Sequence, residues 1–204
     1  MKFFYSPPSP FARKVHVSII ELGLQNKVQL QLTAVKPGSP NTQYAQSHNP
    51  LSKIPALETE SGDTLFDSTV ICEYLDSISA DKKLLPVQGI DRYTALTRQA
   101  LAHGICEAAV IIRYETFLRP QAQQWDVWLD DQWSKIERAL DWFSSNTSQW
   151  QVDTDLAQIS LGCALAYLDF RSPDYAWRNK HPALEQWFST FEKRESMQLT
   201  LPSS

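Results

Sequence analysis

The sequence contains little cysteine, little glycine and no long hydrophobic run. Its three cysteines, Cys72, Cys106 and Cys163, lie far apart in apolar helical patterns, which predicts reduced packing residues rather than disulfides. Six glycines form no glycine-rich phosphate loop. No apolar run approaches the roughly 20 residues of a membrane-spanning helix, and no signal-peptide pattern is visible. These absences predict a cytoplasmic protein.

Charge of one sign and metal-ligand spacings are also missing. Nineteen basic and 23 acidic residues give a formal net charge of −4, without a basic tract, so nothing indicates binding to nucleic acid or an anionic membrane. The four histidines have no metal-ligand spacing with one another or with cysteine. What the chain does have is seven tryptophans, which predict large aromatic packing surfaces or an interface.

The chain changes character near residue 80. Before that point, short apolar runs alternate with helical periodicity. The predicted elements are strands at 2–5, 28–32, 56–58 and 64–66, helices at 10–22 and 68–78, and a short helix through Tyr44. The order β-α-β-(α)-β-β-α predicts an α/β, thioredoxin-like domain over 1–79, with a mixed four-stranded sheet covered by helices.

After a predicted linker at 80–89, we expect an all-α C-terminal domain, a helix bundle over 90–204. A long helix ends near Arg119-Pro120, another follows over 129–143, and a last one covers 184–191. The segment 156–170 is apolar nearly all round and should be the buried central helix, with Asp155 and Gln158 as a capping-box start. The predicted buried face of the long helix comprises Tyr93, Leu96, Ala100, Gly104, Ala108, Ile111 and Leu118.

The most informative stretch is residues 49–57, Asn-Pro-Leu-Ser-Lys-Ile-Pro-Ala-Leu, followed ten residues later by Asp67-Ser68. The proline at 55 restricts Ile54 to extended backbone, where its own N–H and C=O can pair with a ligand. Asp67 and Ser68 place donors and acceptors at the positive end of a helix. Together these residues predict a site for a peptide-like ligand that carries a carboxylate.

In these residues the chain resembles the glutathione S-transferase family. That family carries Asn-Pro-x-Gly-Lys-Val-Pro-x-Leu and then a Glu/Asp-Ser pair, in this order and at about this spacing, and the resemblance covers essentially the whole chain. It implies glutathione as co-substrate and no metal. Ile54, beside a cis Pro55, would pair with the cysteinyl part, Asp67 and Ser68 would hold the γ-glutamyl end, and Lys53 would meet the glycine carboxylate. Without the family pattern, a solvated lysine and an ordinary helix cap explain these residues equally well.

Two positions depart from the family pattern. Ser52 replaces the usual glycine of the Asn-Pro segment, which affects loop geometry rather than ligand chemistry. Asp155 and Gln158 replace the more usual Ser/Thr and Asp of the buried capping box. Asp155 can still accept a backbone hydrogen bond at the start of the helix, and the side chain of Gln158 can still hydrogen-bond back to the N-cap residue.

The turn after the first strand holds the candidates for activation of the glutathione thiol. Ser9 precedes Pro10, so it is either only the N-cap of the first helix or also a hydroxyl that stabilises a thiolate there. It falls where the family places its catalytic Ser or Cys. Tyr5 is the second candidate, because some branches use a tyrosine at the end of the first strand. Ser6 is a weaker third, better explained as a turn residue.

A serine cannot form the mixed disulfide that thiol–disulfide exchange requires, so Ser9 favours conjugation over reduction. The resemblance therefore implies a glutathione transferase that joins the thiolate to a largely apolar electrophile, and a homodimer in which one subunit's first domain meets the other's helical domain. The alternative is a non-catalytic binding or regulatory protein, which would tend to lose the residues retained here. The predicted electrophile pocket comprises Phe11, Arg113, Tyr114 and Phe117.

Overall fold

The computed structural model describes residues 1–147 and 153–203, which divide into two compact units. The first unit runs from Met1 to Gly89 and also takes in the described residues from Glu195 onward; the second is Ile90–Arg194. The sequence assigns the residues after 194 to the helical domain, whereas the structure groups them with the first unit.

The first unit contains a mixed four-stranded sheet, as its alternating sequence predicts. Its strands are β1 (Lys2–Tyr5), β2 (Gln29–Leu32), β3 (Ala56–Glu58) and β4 (Thr64–Leu65). The sheet order is β2-β1-β3-β4; β1 pairs with β2 in parallel and with β3 antiparallel, and β3 pairs with β4 antiparallel. Phe3 and Leu57, paired across β1 and β3, are completely buried, so the centre of the sheet forms core.

Four helices of this unit are described: α1 (Pro10–Glu21), α2 (Thr42–Ser47), α3 (Ser68–Ile78) and α9 (Glu195–Gln198). The sequence did not predict α9, whose four residues lack a measurable period. It packs on α1 through polar contacts. Arg13 donates to the carbonyl of Met197 at 3.0 Å, and Glu21 accepts from Lys82 and from Ser196, each at 2.6 Å. Buried charged groups on α1 therefore hold the end of the chain.

The second unit is helical, as expected, over the residues that the structure describes. Its helices are α4 (Gly89–Leu118, whose first residue belongs to the first unit), α5 (Asp126–Asn146), α6 (Leu156–Arg171), α7 (Trp177–Lys180) and α8 (Pro182–Phe191). The central helix α6 is buried on nearly every side, and Asp155 caps it by accepting from the Gln158 N–H at 2.8 Å. Both features confirm the sequence prediction.

The predicted buried face of α4 was wrong. Tyr93 is 65% exposed and Leu118 is 40% exposed, whereas Gln99 is buried. The buried stripe consists of Ala95, Gln99, Ala102, Ile105, Cys106, Ala108, Ala109 and Ile112. Small residues dominate it because closely packed helices leave little room, while our assignment followed the larger apolar side chains.

Candidate functional site

Ser9 is the N-cap of α1. Its backbone is extended, and its Oγ accepts a hydrogen bond from the Ala12 N–H at 3.2 Å. Within residues 1–147 and 153–203, no acceptor takes the hydroxyl proton of Ser9. That proton is therefore available to an external acceptor at the positive end of a three-turn helix.

Tyr5 and Ser6 have other structural roles. The Tyr5 ring stacks on Phe3 with centroids 5.7 Å apart and meets His16 edge-on at 5.8 Å. Burial lowers the pKa of His16, so this cluster is uncharged at neutral pH. The carbonyl of Ser6 accepts from the Ser9 N–H at 3.1 Å, which makes Ser6 a turn residue, as predicted.

The loop before β3 is held by hydrogen bonds to the carbonyl of Lys53. Tyr44 donates its hydroxyl to this oxygen at 2.9 Å, and Asn49 donates its carboxamide at 2.8 Å. Burial raises the pKa of Tyr44, which keeps its hydroxyl a neutral donor. Ser52 has a positive φ of 49°, the left-handed region that favours glycine, which explains the usual glycine at this position.

The backbone of Ile54 and the ammonium of Lys53 are available to bind a ligand at the end of this loop. The Ile54–Pro55 bond is cis, as the resemblance implied, and Phe66–Asp67 is a second cis bond. The Ile54 side chain packs against a core cluster around Phe4 and Tyr44. Its backbone N–H and C=O have no partner in the part of the chain that the structure describes, and the exposed ammonium of Lys53 has no carboxylate partner there either.

Asp67 and Ser68 begin α3, as predicted, but they differ in access. Asp67 is exposed and caps the helix by accepting from the Thr69 N–H at 2.8 Å. Ser68 is 1% exposed, and its Oγ is buried without a hydrogen-bond partner among the described residues. A buried hydroxyl without a partner is unfavourable by about 1–3 kcal/mol, which a new acceptor would relieve. Because this Oγ has almost no exposed surface, a ligand can reach it only after a local rearrangement.

The predicted electrophile residues are divided between the units. Phe11 is half-buried on α1 of the first unit, and the other three lie on α4 of the second. The Arg113 guanidinium covers the Phe117 ring at 3.6 Å. Of the three on α4, only Tyr114 lines an open cavity of about 380 Å³, whose other wall residues are Ile111, Glu115, Leu118 and Arg119.

Two residues that the sequence analysis missed lie beside Tyr114. Tyr167 and Arg171 lie one turn apart on α6, and the charge of Arg171 acts electrostatically on both Tyr167 and Tyr114. Burial raises the pKa of Tyr114, and it raises the pKa of Tyr167 to about 12. The available signal was a tyrosine and an arginine at i, i+4 in a helix that is otherwise mostly apolar.

The described residues contain neither a metal-binding group nor a membrane-spanning helix. In the described ranges 1–147 and 153–203, no three or more His, Cys, Asp or Glu side chains form a group that could hold a metal ion. No helix among these residues is long and apolar enough to cross a membrane. The three cysteines are buried and form no disulfide among the described residues, which confirms their prediction as reduced packing residues.

Comparison with known proteins covers both halves of the chain. Residues 8–78 match the family model of the glutathione S-transferase N-terminal domain, and residues 126–189 match that of the C-terminal domain. The "Uncharacterized GST-like protein YibF" of Escherichia coli (strain K12) is 34% identical over 99% of this chain and 98% of its own length.

Solved structures give the same result. A glutathione transferase family member from Pseudomonas fluorescens Pf-5, crystallised with bound glutathione, is 43% identical over 100% of this chain and 99% of its own, with a TM-score of 0.96. A structure from the same strain with bound S-(propanoic acid)-glutathione is 42% identical over 99% of both chains, with a TM-score of 0.92. Since both halves match the family's domain models and the likeness to relatives runs from end to end, this chain belongs to the glutathione S-transferase family.

Proposed function

We propose that this protein is a glutathione S-transferase that joins the thiolate of glutathione to a largely apolar electrophile. The observation that carries the proposal is the Ser9 hydroxyl, which accepts from Ala12 and keeps its own proton for another acceptor at the start of α1. A thiol sulfur bound there would receive that proton as a hydrogen bond.

The task of Ser9 would be to favour the thiolate over the thiol. A free thiol has a pKa of about 8.5, so only a few per cent is ionised at neutral pH. Each unit by which the pKa falls requires about 1.4 kcal/mol of preferential thiolate stabilisation. A hydrogen bond to a charged acceptor contributes about 1.5–3 kcal/mol, and the helix N-terminus adds to it. These effects are sufficient to ionise the thiol near pH 7.

The remaining contacts to glutathione would come from the loop before β3 and the start of α3. The unpaired backbone groups of Ile54, beside Pro55, suit the cysteinyl peptide groups, and the exposed ammonium of Lys53 suits the glycine carboxylate. Asp67 and Ser68 suit the γ-glutamyl end, Asp67 for its amino group and Ser68 for its carboxylate. Glutathione bound to a relative that is 43% identical supports this assignment.

The second substrate would be an electrophile with a large apolar part. Phe11 is the proposed contact in the first unit, and Arg113, Tyr114 and Phe117 are the proposed contacts in the second. In the reaction, the new carbon–sulfur bond forms without a covalent bond to the protein, which supplies orientation and a lowered thiol pKa. The serine at position 9 cannot form a mixed disulfide, which favours this reaction over disulfide reduction.

We also propose a homodimer, because both units expose apolar side chains. Val70 on α3 is 47% exposed and Tyr93 on α4 is 65% exposed. Sedimentation should show twice the 23.3 kDa mass of the chain at micromolar concentration, and a monomer alone would contradict the assembly.

The function is tested by calorimetry and a conjugation assay on the same protein. Glutathione should bind, and Ser68→Ala should weaken that binding clearly, because it removes a hydroxyl that has no hydrogen-bond partner among the described residues and is proposed to donate to the ligand carboxylate. Conjugation to 1-chloro-2,4-dinitrobenzene should exceed the uncatalysed rate. Binding without conjugation would favour the regulatory protein, and an unchanged affinity in Ser68→Ala would remove Ser68 from the site.

A further inference from the structure

Arg171 is a partly buried cation without an anion. It lies in the last turn of α6, and its guanidinium covers the Phe170 ring at 4.1 Å. Its Nε is buried and has no hydrogen-bond partner among the described residues. Among residues 1–147 and 153–203, no carboxylate pairs with it. Buried polar groups are usually hydrogen-bonded, so a buried Nε without an acceptor is a candidate to bind a partner from outside the chain.

Two carboxylates, one close to Arg171 in sequence and one on the wall of the cavity, are engaged with other groups, and the exposed Asp174 forms no ion pair with Arg171 among the described residues. Asp169, two residues before Arg171, accepts from Arg178 at 2.7 Å and from the Trp177 indole at 2.8 Å. Glu115, on the wall of the 380 Å³ cavity, accepts from Arg119 at 2.8 Å and from the Trp125 N–H at 3.1 Å. Neither carboxylate is left to neutralise Arg171.

Two tyrosine hydroxyls accompany this cation. Tyr167 lies one turn before it on the same helix, and the charge of Arg171 acts electrostatically on both Tyr167 and Tyr114. Burial raises the pKa of both tyrosines, so each hydroxyl keeps its proton at neutral pH and can donate. A guanidinium with neutral hydroxyl donors beside it is a typical carboxylate-binding set.

Tyr114 connects this set to open space. It is 45% exposed and lines the open cavity, where Ile111 and Leu118 supply apolar wall. A ligand in the cavity would therefore meet apolar side chains and the hydroxyl of Tyr114, on which the charge of Arg171 acts.

We propose that Arg171, Tyr114 and Tyr167 form a carboxylate-binding subsite in the helical unit, and that the second substrate is an apolar electrophile that carries a carboxylate. This inference rests on the proposed function. The alternative is that Arg171 only stabilises α6, because a cation in the last turn complements the negative end of the helix dipole. That role accounts for a cation in the last turn but not for a buried Nε that has no acceptor.

A matched pair of electrophiles tests the proposal: 4-chloro-3,5-dinitrobenzoate and its methyl ester. In both, the thiolate sulfur attacks the carbon that bears chlorine, the carbon–sulfur bond forms, the carbon–chlorine bond breaks, chloride leaves, and the thiol proton goes to solvent. The acid and the ester differ in intrinsic reactivity. Each kcat/KM is therefore divided by its own uncatalysed rate constant with glutathione.

The wild-type protein should prefer the acid, and Arg171→Met should lower its normalised kcat/KM for the acid by about ten- to hundredfold, the effect of one lost charge-assisted hydrogen bond. The ester should change less than threefold. Arg171→Lys should recover part of the preference. Arg138→Met, which removes an exposed arginine on α5, controls for the change in net charge and should leave both rates unchanged.

Equal losses for acid and ester in Arg171→Met would reduce Arg171 to a structural residue and overturn the proposal. Loss of acid preference in Arg113→Met but not in Arg171→Met would also overturn it, because the anion would then bind at the other cation. Circular dichroism of each variant shows whether it is folded. If Arg171→Met fails to fold, Tyr167→Phe replaces it, with the same selective loss expected at smaller size.

A second measurement separates this inference from the proposed function. Calorimetry with 3,5-dinitrobenzoate, which has no leaving group, should show binding that Arg171→Met weakens at least tenfold and Arg138→Met does not. If the protein conjugates neither electrophile but binds this carboxylate through Arg171, the transferase proposal fails and the subsite stands. If it conjugates the ester but Arg171→Met leaves carboxylate binding unchanged, the transferase stands and the subsite fails.

Discussion

The hydroxyl of Ser52 accepts a hydrogen bond from the Asn41 backbone N–H at 3.2 Å, although Ser52 itself is held in a left-handed conformation with a φ of 49°. Ser52 therefore has an unfavourable backbone conformation, but its side chain forms a hydrogen bond with the N-cap residue of α2. Glycine at position 52 would remove the conformational penalty and the hydrogen bond to Asn41. Alanine would remove only the hydrogen bond.

We accordingly expect Ser52→Ala to be less stable than Ser52→Gly. Alanine keeps a left-handed penalty of about 1–2 kcal/mol, offset in part by the greater chain entropy of glycine in the unfolded state, so the two variants should differ by about 0.5–1 kcal/mol. Urea unfolding measures the difference. Equal stabilities, or a more stable alanine variant, would contradict the account of this loop.

Lys53 should contribute a salt-sensitive part of glutathione binding. Its ammonium is exposed, so solvent screens its attraction to the glycine carboxylate, and Lys53→Met should weaken binding by about two- to fivefold at low salt. The difference should shrink in 0.5 M salt. Lys36→Met, which removes an exposed lysine from a neighbouring loop, is the matched control. A loss that is equally large for both variants would indicate a general charge effect.

Asp155 should give a pH-dependent contribution to stability. Burial raises its pKa above the usual 3.8, so the folded state holds the proton more tightly than the unfolded state. The stability that the folded state gains from this tighter proton binding is therefore fully present below pH 3.8, and it is lost as the pH rises through the higher folded-state pKa. Asn also caps helices but does not ionise.

The difference in unfolding free energy between wild type and Asp155→Asn should thus decrease as the pH rises above about 4. At pH 7, Asp155→Asn should be at least as stable as wild type, and Asp155→Ala should lose about 0.5–2 kcal/mol because it removes the cap. Thermal unfolding at several pH values checks both expectations. A difference that increases with pH would mean that Asp155 has a lowered pKa.

The sequence predicted the parts of the fold that local patterns determine. Short apolar runs located the strands, and the Ser9-Pro10 and Asp67-Ser68 pairs located the starts of α1 and α3. The buried face of α4 was missed because alanine and Gln99 form it, and no local pattern distinguishes a buried glutamine from an exposed one. The grouping of Glu195 onward with the first unit depends on contacts with α1 that are distant in sequence.

The candidate site divides in the same way. The position of Ser9 was predicted from the Ser-Pro motif, and the cis Ile54–Pro55 bond was predicted from the family resemblance. The burial of Ser68 was not, because it depends on the packing around α3. Arg171 was missed because a cation in the last turn of a helix is ordinary in sequence, and only the burial of its Nε without an acceptor distinguishes it.

The central claim is that the hydroxyl of Ser9 stabilises the glutathione thiolate, and the pKa of the bound thiol measures it most directly. Titration of the ultraviolet thiolate absorbance in the glutathione complex should give a pKa below the usual 8.5 or so in the wild type. Ser9→Ala should raise it by one to two units, leave glutathione affinity nearly intact, and slow conjugation near neutral pH by about one to two orders of magnitude. Ser9→Thr, which keeps the hydroxyl and the cap, should stay close to wild type, and Tyr5→Phe should change the pKa much less. An unchanged thiol pKa in Ser9→Ala, together with a lost thiolate signal in Tyr5→Phe, would contradict the claim and assign the chemistry to Tyr5.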